Sequence, residues 1–364
     1  MMTVEGRPVR RSTEQRSKED DALHKRGWRV TYPNRKHLTV GFHPSTMSEM
    51  KEKTRSLLYL LIRILASAFL LGLLLWRVDL SNLTTLFASV RPLPLVLGFL
   101  AWLGVLLLSN ERWRRLLSAQ EIQVPFFRLL VIYMISFFFN NFLPAALGMD
   151  ITRAVYVTKE RAKGSEVFAS VLTERVLGML GLLIFAFVAL MFYMNTPEGR
   201  KFILLIVGAT VILIAVIGLF LKSGFLPGLR KRIGSIKVFG LGERIKQFYQ
   251  AMQLYRKRMP VVLWAIALSV LVQGFLVIIN YFAGASLGLS IPLFSHLVYV
   301  PIISIVAMIP ISINGIGVRE WGYVFLFGLT GLSSGEALSL SLLFFAIGIA
   351  GSLTGGIAFL LKHR

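Results

Sequence analysis

The chain has 364 residues, of which 55% are hydrophobic, and it contains no cysteine. A soluble core cannot hide that much apolar surface, and the long runs with few charges are typical of transmembrane helices. The formal net charge is +22, but Lys and Arg collect between the apolar runs, which favours a membrane protein over a nucleic-acid-binding protein. The absence of cysteine excludes disulfides, thiolate catalysis and cysteine metal sites. These properties predict an all-α polytopic membrane protein.

The N-terminal segment differs in composition from the rest. Residues 1–50 are polar, mixed in charge and without an apolar period, so we expect a disordered basic tail. An alternative is that translation starts at Met47 or Met50, which would place this tail upstream of the true start. Residues 51–364 are predicted to form the transmembrane domain, because a basic flank is followed at once by an apolar run.

The apolar runs predict about six full transmembrane helices and two broken segments. The full helices are predicted at Leu57–Trp76, Leu93–Asn110, Val167–Tyr193, Phe202–Leu221, Val261–Phe282 and Ala337–Leu361. The broken segments are Phe126–Leu147 and Pro292–Ile313, and a further run at Trp321–Leu332 is too short to span a bilayer.

Loop charge predicts the orientation of the first broken segment. Arg112–Arg115 and Arg153–Lys163 are both basic and are both expected in cytoplasmic loops. Only Phe126–Leu147 lies between them, so it must enter and leave from the same side as a re-entrant hairpin. The same count places both termini in the cytoplasm, and we expect the protein in the cell membrane. The turn is predicted at four break residues, which are Asn140, Asn141, Pro144 and Gly148.

The second broken segment repeats the pattern of the first. Tyr133, Pro144 and Arg153 have the same spacing as Tyr299, Pro310 and Arg319. Because the second segment is expected to enter from the outside, the sequence predicts an inverted repeat with halves of about 93–193 and 261–361. Transporters built in this way bind substrate near the midplane, between broken helices. The hinge residues expected at the two breaks are Pro144, Gly148, Pro310, Gly315 and Gly317.

Charged residues inside membrane segments are costly and are usually functional or paired. Asp150 and Arg153 share one helix face, and a helix start after a break suits a lipid phosphate, to which Arg153 can add a bidentate contact. The candidate substrate-binding residues are Asn140, Asn141, Asp150, Arg153, Glu174, Arg175, Asn314, Arg319 and Glu320.

A purely structural interpretation of the same residues stays open. The charges would then be ion pairs that hold helices together, with Glu174 bound to Arg153 or Arg319 and Arg175 bound to Asp150 or Glu320. The asparagines would cap free backbone groups, and the glycines would be ordinary turns. The lone polar residues Gln273, Asn280 and His296 are interpreted as packing or interfacial residues rather than ligands.

Four stretches resemble the flippase-like domain of the lysylphosphatidylglycerol synthase transmembrane-region family, also called the UPF0104 group. They are "NNFLPAALGMDITRAVYV" (140–157), "LTERVLG" (172–178), "PISINGIGVREWG" (310–322) and, more weakly, "RWRRLL" (112–117). The resemblance implies a multi-helix domain that acts on phospholipids and, in its best-known members, moves aminoacylated phosphatidylglycerol to the outer leaflet. The chain departs from the family pattern at "AALG" and "SIN", where glycine is usual, and these departures bear on substrate specificity.

These features predict a lipid flippase or transporter of a phospholipid or other charged lipid. Two further functions stay open, namely a membrane-embedded accessory subunit or transferase for lipid-linked sugars, and a scaffold that transports nothing. No catalytic motif such as H-E-x-x-H or Walker A is present, so we expect neither an enzyme, nor a cofactor, nor a metal site. The expected partners are a membrane lipid and, beyond it, a second copy of the chain or a lipid-modifying enzyme.

Overall fold

The computed structural model describes residues 2–3, 28–34, 37–42, 61–62, 65–76, 86–140, 148–161, 164–192, 207–208, 210–211, 255, 258–309, 312 and 315–362. The chain divides into two compact units, residues 1–65 and 66–364. The first contains a three-stranded antiparallel sheet in the order β1-β3-β2, where β1 is Met2–Thr3, β2 is Trp28–Asn34 and β3 is His37–Phe42. These strands differ from the expected disorder, because they are rich in β-branched and aromatic residues.

The regular elements among the described residues of the second unit are all helices. The helices are α1 (Leu65–Trp76), α2 (Pro92–Ala119), α3 (Phe126–Asn140), α4 (Gly148–Arg161), α5 (Gly164–Met191), α6 (Met259–Ser286), α7 (Leu293–Ala307), α8 (Val318–Gly328) and α9 (Ser334–Lys362). Among them α2, α5, α6 and α9 are long and apolar enough to cross a membrane. The prediction of an all-α polytopic membrane protein is confirmed. The helix predicted at Phe202–Leu221 lies almost wholly outside the described residues.

Exposed apolar side chains on the long helices fit a lipid environment. Leu263 of α6 and Leu353 and Leu360 of α9 are each more than half exposed, although they are large and apolar. Apolar surface of this extent is unfavourable in water, whereas lipid tails solvate it. The interior is instead filled by fully buried aromatic residues such as Trp113 and Phe327.

Helix α2 corrects one prediction. The sequence pattern predicts an end at Asn110 and a basic loop at Arg112–Arg115, but the helix continues to Ala119. Glu111 binds Arg114 at 2.6 Å and Arg115 at 2.7 Å, which are pairings that one helix face permits. The prediction of a loop is wrong here, because charge alone does not distinguish a loop from the paired last turns of a helix.

Helices α3 and α4 form an antiparallel hairpin. Asn140 at the end of α3 contacts Met149 at the start of α4, and Arg128 near the start of α3 binds Glu160 near the end of α4 at 3.0 Å. Each helix has about 15 residues, or about 22 Å, which is shorter than the hydrocarbon core of about 30 Å. A hairpin therefore forms at the first predicted break, but its second helix, α4, contains most of the residues predicted to form the basic loop Arg153–Lys163. Re-entry of Phe126–Leu147 from one side of the membrane stays a prediction.

Helices α7 and α8 form a second antiparallel hairpin. His296 near the start of α7 contacts Phe327 near the end of α8, with 5.2 Å between ring centroids. At the other end, Ala307 of α7 lies against Gly315, three residues before α8 begins. Both predicted breaks therefore separate two short helices that fold back on each other.

The two hairpins belong to a repeated unit of four helices. Helices α2 and α6 have 28 residues each, α3 and α7 have 15 each, and α5 and α9 have 28 and 29. Helix α2 packs along α6, its repeat counterpart, in the antiparallel direction. The Arg91 backbone N–H before α2 donates to the Ser286 carbonyl at the end of α6 at 2.7 Å, and Arg112 reaches Ser269. Antiparallel packing of equivalent helices is the arrangement of an inverted repeat.

Close helix contacts follow the same symmetry. Gly181 of α5 lies against Ser269 of α6, and Gly351 of α9 lies against the ring of Trp102 in α2. Gly181 and Gly351 hold the same position counted from the starts of their helices, and so do Ser269 and Trp102. The absence of a side chain at both glycines lets equivalent pairs of helices approach closely in each half.

The first residues of α4 and α8 show that the repeat aligns differently from the alignment predicted from sequence spacing. Counted from the starts of α4 and α8, Glu320 corresponds to Asp150, and Tyr323 corresponds to Arg153. The spacing of Tyr, Pro and Arg in the sequence places Arg319 opposite Arg153, which is wrong by about one helical turn. That spacing assumes breaks of equal length in the two halves, whereas the second break is longer.

Candidate functional site

A buried carboxylate lies at the centre of the first half. Glu174 of α5 is 1% exposed and binds two arginines from other helices. Arg112 of α2 donates to Oε1 from Nη2 at 2.8 Å and from Nε at 3.2 Å, and Arg153 of α4 donates to Oε2. The hydroxyl of Tyr133 also donates to Oε1, at 3.3 Å. One carboxylate thus joins α2, α3, α4 and α5.

Two neighbouring aromatic rings lie against the guanidinium of Arg153. Its guanidinium carbon lies 4.8 Å from the ring centroid of Trp113 and 5.3 Å from that of Tyr133. The Trp113 ring is itself fixed, because its Nε1 donates to Ser170 Oγ at 3.1 Å. Cation–π contact and the ion pair together compensate a charge that is almost completely withdrawn from solvent.

The group becomes more exposed towards Asp150 and Arg175. Arg153 Nη2 lies 2.6 Å from Asp150 Oδ1, and Arg175 Nη1 lies 3.3 Å from Asp150 Oδ2. The side chain of Asp150 is 15% exposed and that of Arg175 is 34% exposed. We name Arg112, Asp150, Arg153, Glu174 and Arg175 the charged cluster. It contains three guanidinium groups and two carboxylates, which leaves an excess of one positive charge.

Arg112 was missed as a site residue by sequence reasoning, which placed it in a loop. Besides binding Glu174, its Nη1 donates to Ser269 Oγ of α6 at 2.9 Å. This hydrogen bond connects the charged cluster with the second half of the repeat. The sequence does indicate that the helix continues beyond Asn110, because Trp113 and Leu116 extend its apolar pattern at helical spacing. This pattern places Arg112 inside the helix.

The predicted pairings are confirmed in part. Glu174 binds Arg153 and Arg175 binds Asp150, as the structural interpretation of the charges allowed. Arg319 and Glu320 instead bind each other. Five of the predicted residues lie together around α4 and α5, whereas Arg319 and Glu320 form a separate pair on α8. The five are Asn140, Asp150, Arg153, Glu174 and Arg175.

The pair on α8 stabilises the start of that helix. Glu320 Oε2 accepts the Gly317 backbone N–H at 2.6 Å, and its other oxygen accepts Arg319 Nε at 2.9 Å. This is the carboxylate half of a capping box, which satisfies an N–H that the helix leaves free. The guanidinium of Arg319 lies 4.5 Å from the ring centroid of Phe345 in α9. The arrangement supports a structural role for Glu320.

Gly317 should be intolerant of any side chain. It has φ +87, which residues with a Cβ rarely adopt, and a Cβ built there would lie 2.7 Å from Leu70 Cβ of α1. We expect Gly317→Ala to lower the free energy of unfolding by about 1–3 kcal/mol. The matched control is Gly328→Ala at the other end of α8, where the same Cβ meets open space. Thermal unfolding in detergent measures both, and equal midpoints would contradict the prediction.

The break residues have mixed outcomes. Asn140 Oδ1 accepts the Met149 backbone N–H at 3.3 Å, so Asn140 caps α4, as the structural interpretation expects. Gly148 is the first residue of α4, and Gly315 has φ +75, which suits a turn that requires glycine. Asn141, Pro144, Pro310 and Asn314 lie outside the described residues.

A second polar group lies between α6, α7 and α8. His296 Nδ1 lies 2.8 Å from Asn280 Oδ1, and Asn280 Nδ2 donates to the hydroxyl of Tyr323. All three residues are buried. Sequence reasoning interpreted Asn280 and His296 separately as packing residues and did not connect them, because they come from different helices. Within the described part of the chain, no group of three or more His, Cys, Asp or Glu side chains is arranged to hold a metal ion.

Comparison with known proteins identifies the family. The sequence profile described as "Lysylphosphatidylglycerol synthase TM region" matches residues 60–356. A UPF0104 membrane protein of Pyrococcus horikoshii is 28% identical over 332 residues, which cover 84% of this chain and 97% of that protein. No match was found among the solved structures. The predicted resemblance is confirmed, and the chain belongs to the lysylphosphatidylglycerol synthase transmembrane-region family.

Proposed function

We propose that this protein moves a lipid with an anionic, phosphate-containing headgroup between the leaflets of the cell membrane. The observation that carries the proposal is the charged cluster, which is positive by one charge and becomes more exposed from Glu174 to Arg175. A phosphate that reaches Arg175 meets a guanidinium with a planar pair of donors, and such pairs bind phosphate well.

The position of the cluster also favours transport. Helix α4 starts at Gly148, and Asp150 lies in its first turn, beside the break that separates α3 from α4. In transporters with inverted repeats, broken helices of this kind surround the substrate path. Arg112 connects the cluster to α6 through Ser269, so a change of charge at the cluster acts on the contact between the two halves.

A lipid headgroup would exchange with Asp150 at the rim. In the structure, Asp150 forms ion pairs with both Arg153 and Arg175. An entering phosphate has more acceptor oxygens than Asp150 and can bind the same two arginines in its place. When Asp150 binds the arginines again, the phosphate is released. We infer that Asp150 and Arg175 handle the headgroup directly, whereas Glu174 and Arg112 hold Arg153 in position.

Arg175 provides the most direct test. We expect Arg175→Gln to slow lipid movement by about tenfold, because one charge-assisted hydrogen bond to phosphate is lost. The protein is reconstituted in liposomes with fluorescent phosphatidylglycerol, phosphatidylethanolamine or phosphatidylcholine, and dithionite bleaching reports the lipid in the outer leaflet.

Arg128→Gln is the matched control. Arg128 lies on the same hairpin and also binds a carboxylate, that of Glu160, but its side chain is 55% exposed and outside the charged cluster. It should retain the wild-type rate. Equal rates for Arg175→Gln and the wild type would refute the assignment of Arg175, and a wild type that moves none of the three lipids would refute the flippase proposal.

A scaffold function has one observation in its favour. Glu174 is matched by two arginines within hydrogen-bonding distance, as in an ion pair that only fixes packing. On that interpretation the cluster stabilises the fold, and lipid movement is absent from the wild type and all variants.

A further inference from the structure

The buried polar group of α6, α7 and α8 contains an atom without a partner. We name Asn280, His296 and Tyr323 the neutral triad. His296 is fully buried, and its Nε2 has no hydrogen-bond partner in the structure. Buried polar atoms are nearly always satisfied, so a buried nitrogen without a partner calls for an explanation, and a proton that the site takes up in another state provides one.

The triad defines which imidazole nitrogen carries hydrogen. Asn280 donates its amide hydrogen to the hydroxyl of Tyr323, so its Oδ1 faces His296 as an acceptor. Nδ1 of His296 must therefore be the N–H donor, and Nε2 of the neutral ring has a free lone pair. A proton added to that lone pair leaves both existing hydrogen bonds intact, because Nδ1 remains a donor in the imidazolium.

The surroundings of the imidazole are apolar. The rings of Phe327 and Tyr281 lie 5.2 Å and 5.7 Å from it, between centroids, and Leu340 of α9 reaches the same space beside Gly284. Among the described residues, the ionisable side chains that contact the imidazole or its hydrogen-bond partner are two tyrosines, Tyr281 of α6 and Tyr323 of α8 through Asn280. Such a site favours the neutral ring while it is closed to water.

The charged residues of the packed helices are engaged elsewhere. Helix α6 carries none. On α8, Arg319 binds Glu320, and on α9, Glu336 binds Ser333. On α5, Glu166 binds Ser165, while Glu174 and Arg175 belong to the charged cluster. No ion pair among the described residues therefore involves His296, and a proton bound there would change the local charge from zero to one.

The repeat relates the neutral triad to residues in and beside the charged cluster of the first half. Counted from the helix starts, Tyr323 holds the position of Arg153, and Asn280 holds the position of Trp113. The neutral triad thus lies where the other half has its buried arginine and the ring beneath it. A protonated His296 would add a positive charge beside Asn280 and Tyr323, whereas the neutral ring leaves these positions of the second half uncharged.

We propose that His296 is a proton-binding site and that its protonation drives lipid movement, which rests on the proposed function. A proton from the aqueous side adds to the Nε2 lone pair and forms imidazolium, and the same proton leaves from Nε2 on the other side. The charged ring is disfavoured in the closed pocket, so protonation shifts the protein towards a conformation in which the pocket opens to water or to the anionic headgroup. Loss of the proton restores the conformation described above.

The first experiment observes the proton directly. The full chain, with ¹⁵N-labelled histidine and with His24, His37, His43 and His363 replaced by glutamine, is placed in lipid nanodiscs. The ¹⁵N signals of His296 should report hydrogen on Nδ1 alone at about pH 8 and hydrogen on both nitrogens as the pH falls to about 4 and below. A ring that stays neutral throughout, or that carries its hydrogen on Nε2, would overturn the proposal without any reference to transport.

The second experiment tests coupling. Proteoliposomes with fluorescent phosphatidylglycerol are given a pH gradient, and wild-type lipid movement should accelerate by about fivefold or more. His296→Gln should lose this acceleration, while His37→Gln, in the N-terminal unit, should retain it. Tyr323→Phe removes the hydroxyl that accepts from Asn280 and keeps the ring, so it should reduce the acceleration if the triad holds His296 in position.

The outcomes separate the two proposals. If the wild type moves lipid at a rate that the gradient does not change, proton coupling is overturned and the flippase proposal stands. If the wild type moves no lipid under either condition, the flippase proposal and the coupling fail, and the nanodisc spectra alone decide whether His296 binds a proton.

Discussion

Glu174→Gln is expected to destabilise the protein by about 3–5 kcal/mol, because it leaves the buried Arg112 without a counter-charge and Arg153 with Asp150 as its one carboxylate partner. Glu174 accepts hydrogen bonds from Arg112, Arg153 and Tyr133, and its side chain is nearly inaccessible. Glutamine keeps the shape but offers one neutral oxygen in place of a carboxylate. The free energy of unfolding in mixed micelles measures the effect.

Glu111→Gln is the matched control for this result. Glu111 also binds two arginines, Arg114 and Arg115, but at the end of α2 and with 22% of its side chain exposed. Exposed pairs of this kind contribute about 0–1 kcal/mol. The prediction is wrong if Glu174→Gln costs no more than Glu111→Gln.

A triple variant separates stability from function at the same place. Arg112→Leu, Arg153→Met and Glu174→Met together replace the buried charges with apolar side chains of similar size. Such replacements are often neutral or stabilising, in contrast to the removal of a single partner. We expect the triple variant to fold and to lose lipid movement. A folded triple variant with the wild-type rate would show that the buried charges serve no transport function.

Gly355→Ala should have the second large effect, about 3 kcal/mol or more, by forcing two helices apart. A Cβ at Gly355 of α9 would overlap the Met134 carbonyl group of α3 and lie 3.0 Å from the Ile135 backbone nitrogen. Backbone atoms cannot rotate away as the end of a side chain can. Since α3 belongs to the first half and α9 to the second, the expected result is a weaker contact between the halves, observed as a lower unfolding midpoint.

Gly348→Ala on the same helix is the control, since a Cβ there meets nothing within 4 Å. Alanine is a better helix former than glycine by up to about 1 kcal/mol, so this variant should be neutral or slightly more stable. Similar midpoints for the two alanine variants would show that the close approach of α3 and α9 is not needed for stability.

Local patterns accounted for much of the fold. The positions of the breaks followed from asparagine, proline and glycine inside apolar runs, and both breaks separate the paired helices of a hairpin. The ion pair of Asp150 with Arg153 followed from their spacing of three on one helix. Where the inference depended on charge alone it failed, as at Arg112–Arg115, which continue α2 instead of forming a loop.

The sequence by itself determined that this is a helical membrane protein of its family, that two of its helices are broken, and that its halves repeat. Hydropathy, helix breakers and motifs are properties of neighbouring residues, so no knowledge of packing is needed to recognise them. Only the tertiary structure decided which charges meet. Arg112 and Glu174 are 62 residues apart in the chain, and His296 meets Asn280 from another helix. Such contacts depend on the direction in which each helix faces its neighbours, and residue spacing along one helix does not contain that information.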